Sequence, residues 1–213
     1  MLEHYLTIKE EGSHEIEIQK SRFIGHVKRT ETEEEAQEFI QQIKKEHKSA
    51  THNCSAYMIG EQNLTQKAHD DGEPSGTAGV PMLEVLKQMD LKDTTIIVTR
   101  YFGGIKLGAG GLIRAYSSST SEAIKAVGIV RRSLMQHIQL KVDYHLIGKV
   151  ENELRNSSFL LKKIEYLDQV TFNIYAPISE AESCNDWLVN LTSGQGHIDF
   201  KDQAYIEEDV QLN

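Results

Sequence analysis

Apolar and polar positions change period several times along the chain. In HEIEIQK (14–20), Ile16 and Ile18 alternate with Glu15 and Glu17, and RFIGHVKR (22–29) follows after a short break. A period of two predicts two strands, neighbours in a hairpin. In TETEEEAQEFIQQIKKEHK (30–48) the spacing lengthens, with Ala36, Phe39, Ile40 and Ile43 recurring as on a helix. Acids lead this segment and Lys44, Lys45 and Lys48 close it, as the helix dipole prefers. HNCSAYMIG (52–60) predicts a strand, AHDDGEPSGTAGVP (68–81) a turn-forming loop, and MLEVLKQM (82–89) a helix with Pro81 in its first turn. TTIIVTRYF (94–102) is β-branched and apolar, the pattern of a buried strand. Leu112, Ile113, Tyr116, Ala123, Ile124 and Val127 then mark a long helix. Its middle, SSSTS (117–121), has poor helix propensity and must gain from packing.

Gly128 and the pair Arg131–Arg132 predict a boundary, giving a first domain over 1–130 and a second over 131–213. Beyond it the pattern reads strand (134–143), helix (145–156), strands (160–166 and 169–175), helix (179–191) and strand (197–207). This is β-α-β-β-α-β, the ferredoxin-like split unit. Asp168–Gln169 forms the hairpin connection, and Ser179 with Glu182 forms a capping box at the last helix. The fold class is therefore α+β in two domains.

Charge sharpens the picture. The net charge is −9, with residues 1–130 carrying 15 Lys and Arg against 19 Asp and Glu, and residues 131–213 carrying 8 against 13. That balance argues against coating of nucleic acid, which needs counterion-releasing cations. Residues 94–121 nevertheless contain Arg100, Lys106 and Arg114 and no acid, a local positive spot on an acidic body. No stretch approaches the roughly 18 apolar residues of a membrane span, and MLEHYLTIKEEG lacks the basic-then-apolar signal pattern. A cytoplasmic protein with no membrane partner and two reduced thiols, Cys54 and Cys184, is expected.

Three segments hold candidate chemistry. In TRYFGGIKLGAGGLIRAY (99–116) a strand feeds a glycine-rich loop that opens a helix, the general recipe for an anion site. Nucleotide motifs fail there. Gly103 to Gly108 is followed by Ala109, not the Walker lysine, and Ile113 stands where a dinucleotide loop starting at Gly108 needs its last glycine. No cofactor is expected. The alternatives are a phosphate or RNA-backbone contact and a plain turn with close helix-to-sheet packing. HDDGEPSGT (69–77) offers His69 as a base and Asp70, Asp71 and Glu73 as oxygen ligands. Its spacing matches neither an EF-hand loop nor a nucleophile elbow, and a turn whose acids cap the following helix accounts for it equally. No resident metal is expected. His52 and Cys54, two apart on a strand, share a face and make a Cys–His pair conceivable.

Gly79, Leu83, Leu86, Leu91, Ile97, Val98, Arg100, Tyr101, Phe102, Gly103, Gly104 and Gly108 together resemble the signature of the IMPACT family. SRFIG (21–25) and AHDDGEPSGTAG (68–79) are similar to the family as well, and the likeness spans roughly residues 15 to 127. The remainder resembles the smaller carboxy-terminal domain of bacterial members. The resemblance implies a first domain like the second domain of ribosomal protein S-five and a ferredoxin-like second domain similar to the last domain of the translocation elongation factor. Both comparisons lean toward the ribosome or RNA. Eukaryotic members regulate translation by competing for an activator of a stress kinase, using an additional domain ahead of the shared one. This chain starts with the shared domain, so the resemblance implies a translation-related role without that mechanism.

The leading expectation is a non-catalytic protein in which Arg100, Lys106 and Arg114 meet phosphates of RNA or a ribosomal component. The amides of Gly103, Gly104, Gly108 and Gly110 assist, with Arg22, His52 and Tyr101 as neighbours. The rival is a hydrolase of a phosphorylated metabolite using His69, Asp70, Asp71 and Glu73 beside the glycine loop. A third is a module that binds a translation-related protein.

Overall fold

A computed structural model describes residues 1–211, and the chain divides into two compact units. One comprises Tyr5–Arg131 with the residues from Glu208; the other comprises Met1–His4 with Arg132–Glu207.

The first unit is built on a five-stranded antiparallel sheet in the order β2-β3-β6-β4-β5. These strands are β2 (Gly12–Ile18), β3 (Ser21–Arg29), β4 (His52–Ile59), β5 (Thr65–His69) and β6 (Thr94–Tyr101). β6 is buried along nearly its whole length because both of its faces are covered. Ile96 and Val98 join Cys54, Ala56 and Met58 of β4 beneath α2 (Gly79–Gln88) and α3 (Gly108–Val127). Ile97 joins Tyr57 and Ile59 on the opposite face, beneath Ala36, Phe39, Ile40 and Ile43 of α1 (Glu33–Glu46). Thr32 caps α1 by accepting from the Glu35 amide at 3.2 Å, while the Glu35 carboxylate accepts from the Glu31 amide at 2.7 Å. α3 buries Ser119 and Thr120 alongside Leu112, Tyr116 and Ala123. The Thr120 hydroxyl donates to the Tyr116 carbonyl at 2.8 Å, so packing and back-bonding offset the poor propensity of this stretch.

The second unit follows the split pattern: β7 (Ile129–Val142), α4 (Ile147–Arg155), β8 (Leu160–Tyr166), β9 (Val170–Pro177), α5 (Ala181–Leu191) and β10 (His197–Val210). The strand order is β10-β7-β9-β8, and β1 (His4–Ile8) is a short strand at the start of the chain. Ile138, Leu140, Val142, Phe172, Ile174 and Ala176 turn one face of the sheet toward Val150 and Leu154 of α4 and Cys184 and Leu188 of α5. The chain is thus an α+β protein of two domains, as its pattern predicts.

Some local expectations differ. β5 falls mostly on residues given no element by the sequence pattern, with only Ala68 and His69 in the predicted loop; TQKAH pairs with β4 from Ile59↔Thr65 to Ser55↔His69. An edge strand facing solvent needs no apolar alternation, so its sequence carried no signal. α2 starts at Gly79, before the predicted position, because Asp70 supplies a cap from outside the helix, described below. The Ser179–Glu182 capping box does not form. Residues Ile178–Glu180 make a 3₁₀ turn after Pro177, and α5 starts at Ala181 with no side-chain cap.

The glycine loop is held by a close approach of backbone to backbone. A Cβ on Gly103 would lie 1.9 Å from the Lys20 carbonyl oxygen, and the Gly103 amide donates to the Ser21 hydroxyl at 3.1 Å. Gly104 turns the chain with φ of +88°, which favours glycine. On the α1 side, His26 is buried with ring centroids 4.9 Å from His47, and its Nε2 has no partner. Burial, then the neighbouring His47, pushes its pKa down to about 4, against a smaller opposing effect of Glu46.

Three outcomes are expected. Gly103→Ala lowers stability by about 3 kcal/mol, because the obstructing atoms are backbone. Gly110→Ala, whose Cβ meets only the flexible end of Arg114 at 3.7 Å, leaves the denaturation midpoint unchanged or raises it. The unfolded chain protonates His26 near pH 6.5 and the folded chain only near 4, so stability falls as pH drops through that window. The loss is on the order of 3 kcal/mol. Urea midpoints measured between pH 7 and 4 should show this slope for the native protein and a shallower one for His26→Gln.

Candidate functional site

Alternation along β6 decides where Arg100 goes. It shares parity with Ile96 and Val98 and therefore enters the α2–α3 side of the sheet instead of solvent. A guanidinium there needs a carboxylate. Glu73, from the loop after β5, supplies it: Nη1 donates to Oε1 at 2.6 Å, with both side chains more than nine-tenths buried. The Tyr116 hydroxyl of α3 donates to the same oxygen at 2.8 Å. Phe23 and Phe102 place rings 5.3 and 5.5 Å from the guanidinium carbon, while Nε is left without a partner.

His52 is the cross-strand partner of Arg100 and points to the same side. Its Nδ1 lies 2.8 Å from the Asp71 carbonyl and donates to it, which turns Nε2 toward Glu73 Oε2 at 3.8 Å. Cys54 shares this face, but its thiol donates to the Asp70 carbonyl at 2.9 Å, and burial pushes its pKa up to about 12. A thiol so held is no nucleophile at neutral pH, and the conceivable Cys–His pair does not operate. Burial, reinforced by Cys54 and Glu73, likewise raises the Tyr116 phenol.

The acidic loop splits into different tasks. Asp70 accepts from the amides of Gly76 at 2.8 Å, Ala78 at 3.1 Å and Gly79 at 2.8 Å, and so caps α2. Burial works to raise its pKa, but these amides outweigh it and hold the carboxyl below the usual range. Asp71 accepts from Lys44 Nζ and from the Asn53 amide, each at 2.7 Å. Its pKa is lowered in the same manner, with burial opposed by Lys44 and the Asn53 amide. His69 accepts from the Asp71 amide at 3.2 Å and faces a groove beside Lys44 and Tyr57. Of the four residues read as an acid–base or metal set, only Glu73 reaches the glycine loop. Among the described residues no group of three or more His, Cys, Asp and Glu side chains is arranged to hold a metal ion.

The glycine loop and α3 complete a cleft of about 450 Å³ within the first unit. Its floor is Arg100, Glu73 and His52; Phe102, Leu107 and Leu112 give it apolar walls; Lys106 and the first residues of α3, Gly108 and Ala109, form its rim. The N-cap of α3, Leu107, offers no side-chain acceptor, so the amides of the first turn, Gly110 included, are free for a ligand, and the dipole favours an anion. Arg114 is exposed one turn into α3 and does not line the cleft.

Tyr101 and Arg22 lie elsewhere. They are cross-strand partners of opposite parity to Arg100 and so face the α1 side. Arg22 donates to both Glu15 oxygens at 2.8 Å and stands 5.3 Å over the Tyr101 ring, whose hydroxyl contacts His47 Nδ1 at 2.9 Å. Gly103 and Gly104 shape the loop and do not line the cleft. Sequence reasoning missed Tyr116 and Phe102 as parts of the site. An arginine in an apolar strand signals that a carboxylate and an aromatic partner must be found, and that signal was present.

Comparison with known proteins places these features in a family. Residues 19–124, which contain the whole cleft, match the Impact N-terminal domain, and residues 140–195 match a domain of unknown function, DUF1949. The chain is 58% identical over 210 residues to the IMPACT family member YvyE of Bacillus subtilis, covering 99% of this chain and 97% of that protein. A Protein IMPACT homolog of Schizosaccharomyces pombe is 33% identical over 116 residues, 53% of this chain and 40% of the yeast protein. A solved structure described as a hypothetical protein superposes with a TM-score of 0.60 at 30% identity, covering 93% of this chain and 97% of that one. With a relative this similar across nearly its full length, and with an Impact N-terminal domain built around the Arg100–Glu73 cleft, the chain belongs to the IMPACT family.

Proposed function

We propose that this protein is a cytosolic, translation-related factor that contacts RNA through the cleft at the start of α3. The observation that supports the reading is a convergence of groups suited to phosphate. The uncapped first turn of a 20-residue helix meets Lys106 on the rim, over a buried guanidinium whose Nε has no partner. The family relationship to a eukaryotic IMPACT protein supports the translation-related setting. In this reading Lys106 and the amides of Gly108 and Gly110 take the phosphate, Arg114 adds positive potential along the strand, and Arg100 acts from the floor. Arg22 and Tyr101 brace the far face of the sheet.

A hydrolase built on residues 69–73 finds less support, since Asp70 and Asp71 have their oxygens committed to backbone amides and Lys44. Among the described residues no helix is long and apolar enough to cross a membrane.

Filter binding of a single-stranded RNA at several salt concentrations tests the reading. Lys106→Ala with Arg114→Ala should weaken binding about tenfold at low salt and reduce the salt slope by about 1.4. An affinity and slope unchanged by the double substitution would overturn the proposal.

A further inference from the structure

The floor of the cleft holds a gap that phosphate does not explain. Glu73 uses Oε1 for both Arg100 and Tyr116, while Oε2 faces His52 Nε2 across 3.8 Å. That separation exceeds a hydrogen bond between nitrogen and oxygen. No atom fits on the line between them, but an oxygen seated beside it on the cleft side, about 2.8 Å from each, would bridge the two groups. Both side chains are held in place. Glu73 is fixed by its two donors, and the His52 ring is fixed by Nδ1 donating to the Asp71 carbonyl. An Nδ1 donor leaves the imidazole free to carry a second proton on Nε2 or none. The gap opens on the same cleft as Lys106, Gly108 and the apolar wall of Phe102.

We infer that this gap is a ribose-hydroxyl subsite, and that the cleft distinguishes RNA from DNA by the 2′-hydroxyl; the inference rests on the RNA-binding reading above. A hydroxyl is both donor and acceptor. Seated against both groups, it donates its proton to Glu73 Oε2 and, where Nε2 carries a proton, accepts from it. A deoxyribose leaves a buried carboxylate oxygen facing a carbon-bound hydrogen. A methylated hydroxyl can still accept but has no proton to give Glu73. The 2′-hydroxyl is the group by which a protein tells the two nucleic acids apart. The volume of about 450 Å³ lies within the range of small-molecule sites and suits one nucleotide with its phosphate at α3.

The test compares three probes on the full chain: oligouridylate, oligodeoxyuridylate and 2′-O-methyl oligouridylate of one length, followed by fluorescence anisotropy at low salt. These probes differ only at the 2′ position. Oligouridylate should bind about tenfold more tightly than either of the others, the scale of one hydrogen bond to a charged group. His52→Asn keeps an N–H for the Asp71 carbonyl and removes Nε2, and should bring the three affinities together. Equal binding of all three probes by the native protein, with Lys106→Ala and Arg114→Ala weakening each, overturns the hydroxyl subsite and leaves the phosphate reading standing. A preference for oligouridylate that survives His52→Asn also overturns the subsite. Binding of none of the probes overturns both. The substitution-free comparison holds even if His52→Asn fails to fold.

Discussion

A guanidinium buried among aromatic rings is costly unless a carboxylate meets it, and in the first unit Arg100 and Glu73 depend on each other in this way. Each desolvates the other, and removing either one leaves an unpaired buried charge, at a cost of about 3–5 kcal/mol. The pair does more than offset its own burial. Glu73 sits on a loop with little regular structure, and Arg100 ties that loop to the centre of the sheet. Tyr116, bonded to the same oxygen, ties it to α3. Strand, acidic loop and helix therefore meet at one carboxylate oxygen, and the cleft exists because they do. The Asp70 cap and the Asp71–Lys44 pair hold the rest of the loop, so that Glu73 arrives in place.

Covering the sheet on both faces leaves the strand ends as the place for chemistry. At the end of β6 the chain must leave the layer, turn sharply and start a helix. The turn exposes backbone amides, and the missing side-chain cap leaves them without an internal acceptor. Burial and availability are thus separated by only a few residues: Arg100 is held inside, while Lys106 stands at the rim.

Much of this organisation was legible in the sequence. The period-two runs of β2 and β3, the apolar stripe of α1, the buried run of β6 and the split pattern of the second unit all follow from spacing alone. The glycine segment and the acidic loop, which meet at the cleft, were both legible as candidate segments. Their internal roles were not. A strand apolar on both faces hides its parity, so Arg100 reads as a surface cation until its neighbours are known. A cap nine residues from the helix it serves, as Asp70 is to Gly79, has no local pattern. Arg22 and Tyr101 lie close in sequence to the loop's contacts, but the pleat sends them to the other face.

β5 lies at the outer edge of the first unit's sheet, paired on one side only. Its open backbone groups are a template on which another extended chain can add. The sequence TQKAH is short and polar, and Lys67 at its centre is paired to Glu33 at 3.1 Å. A neighbouring strand that docked there would have to bury that ammonium or break its pair. The same absence of apolar alternation that concealed β5 from the sequence therefore protects the unit from edge-to-edge polymerisation.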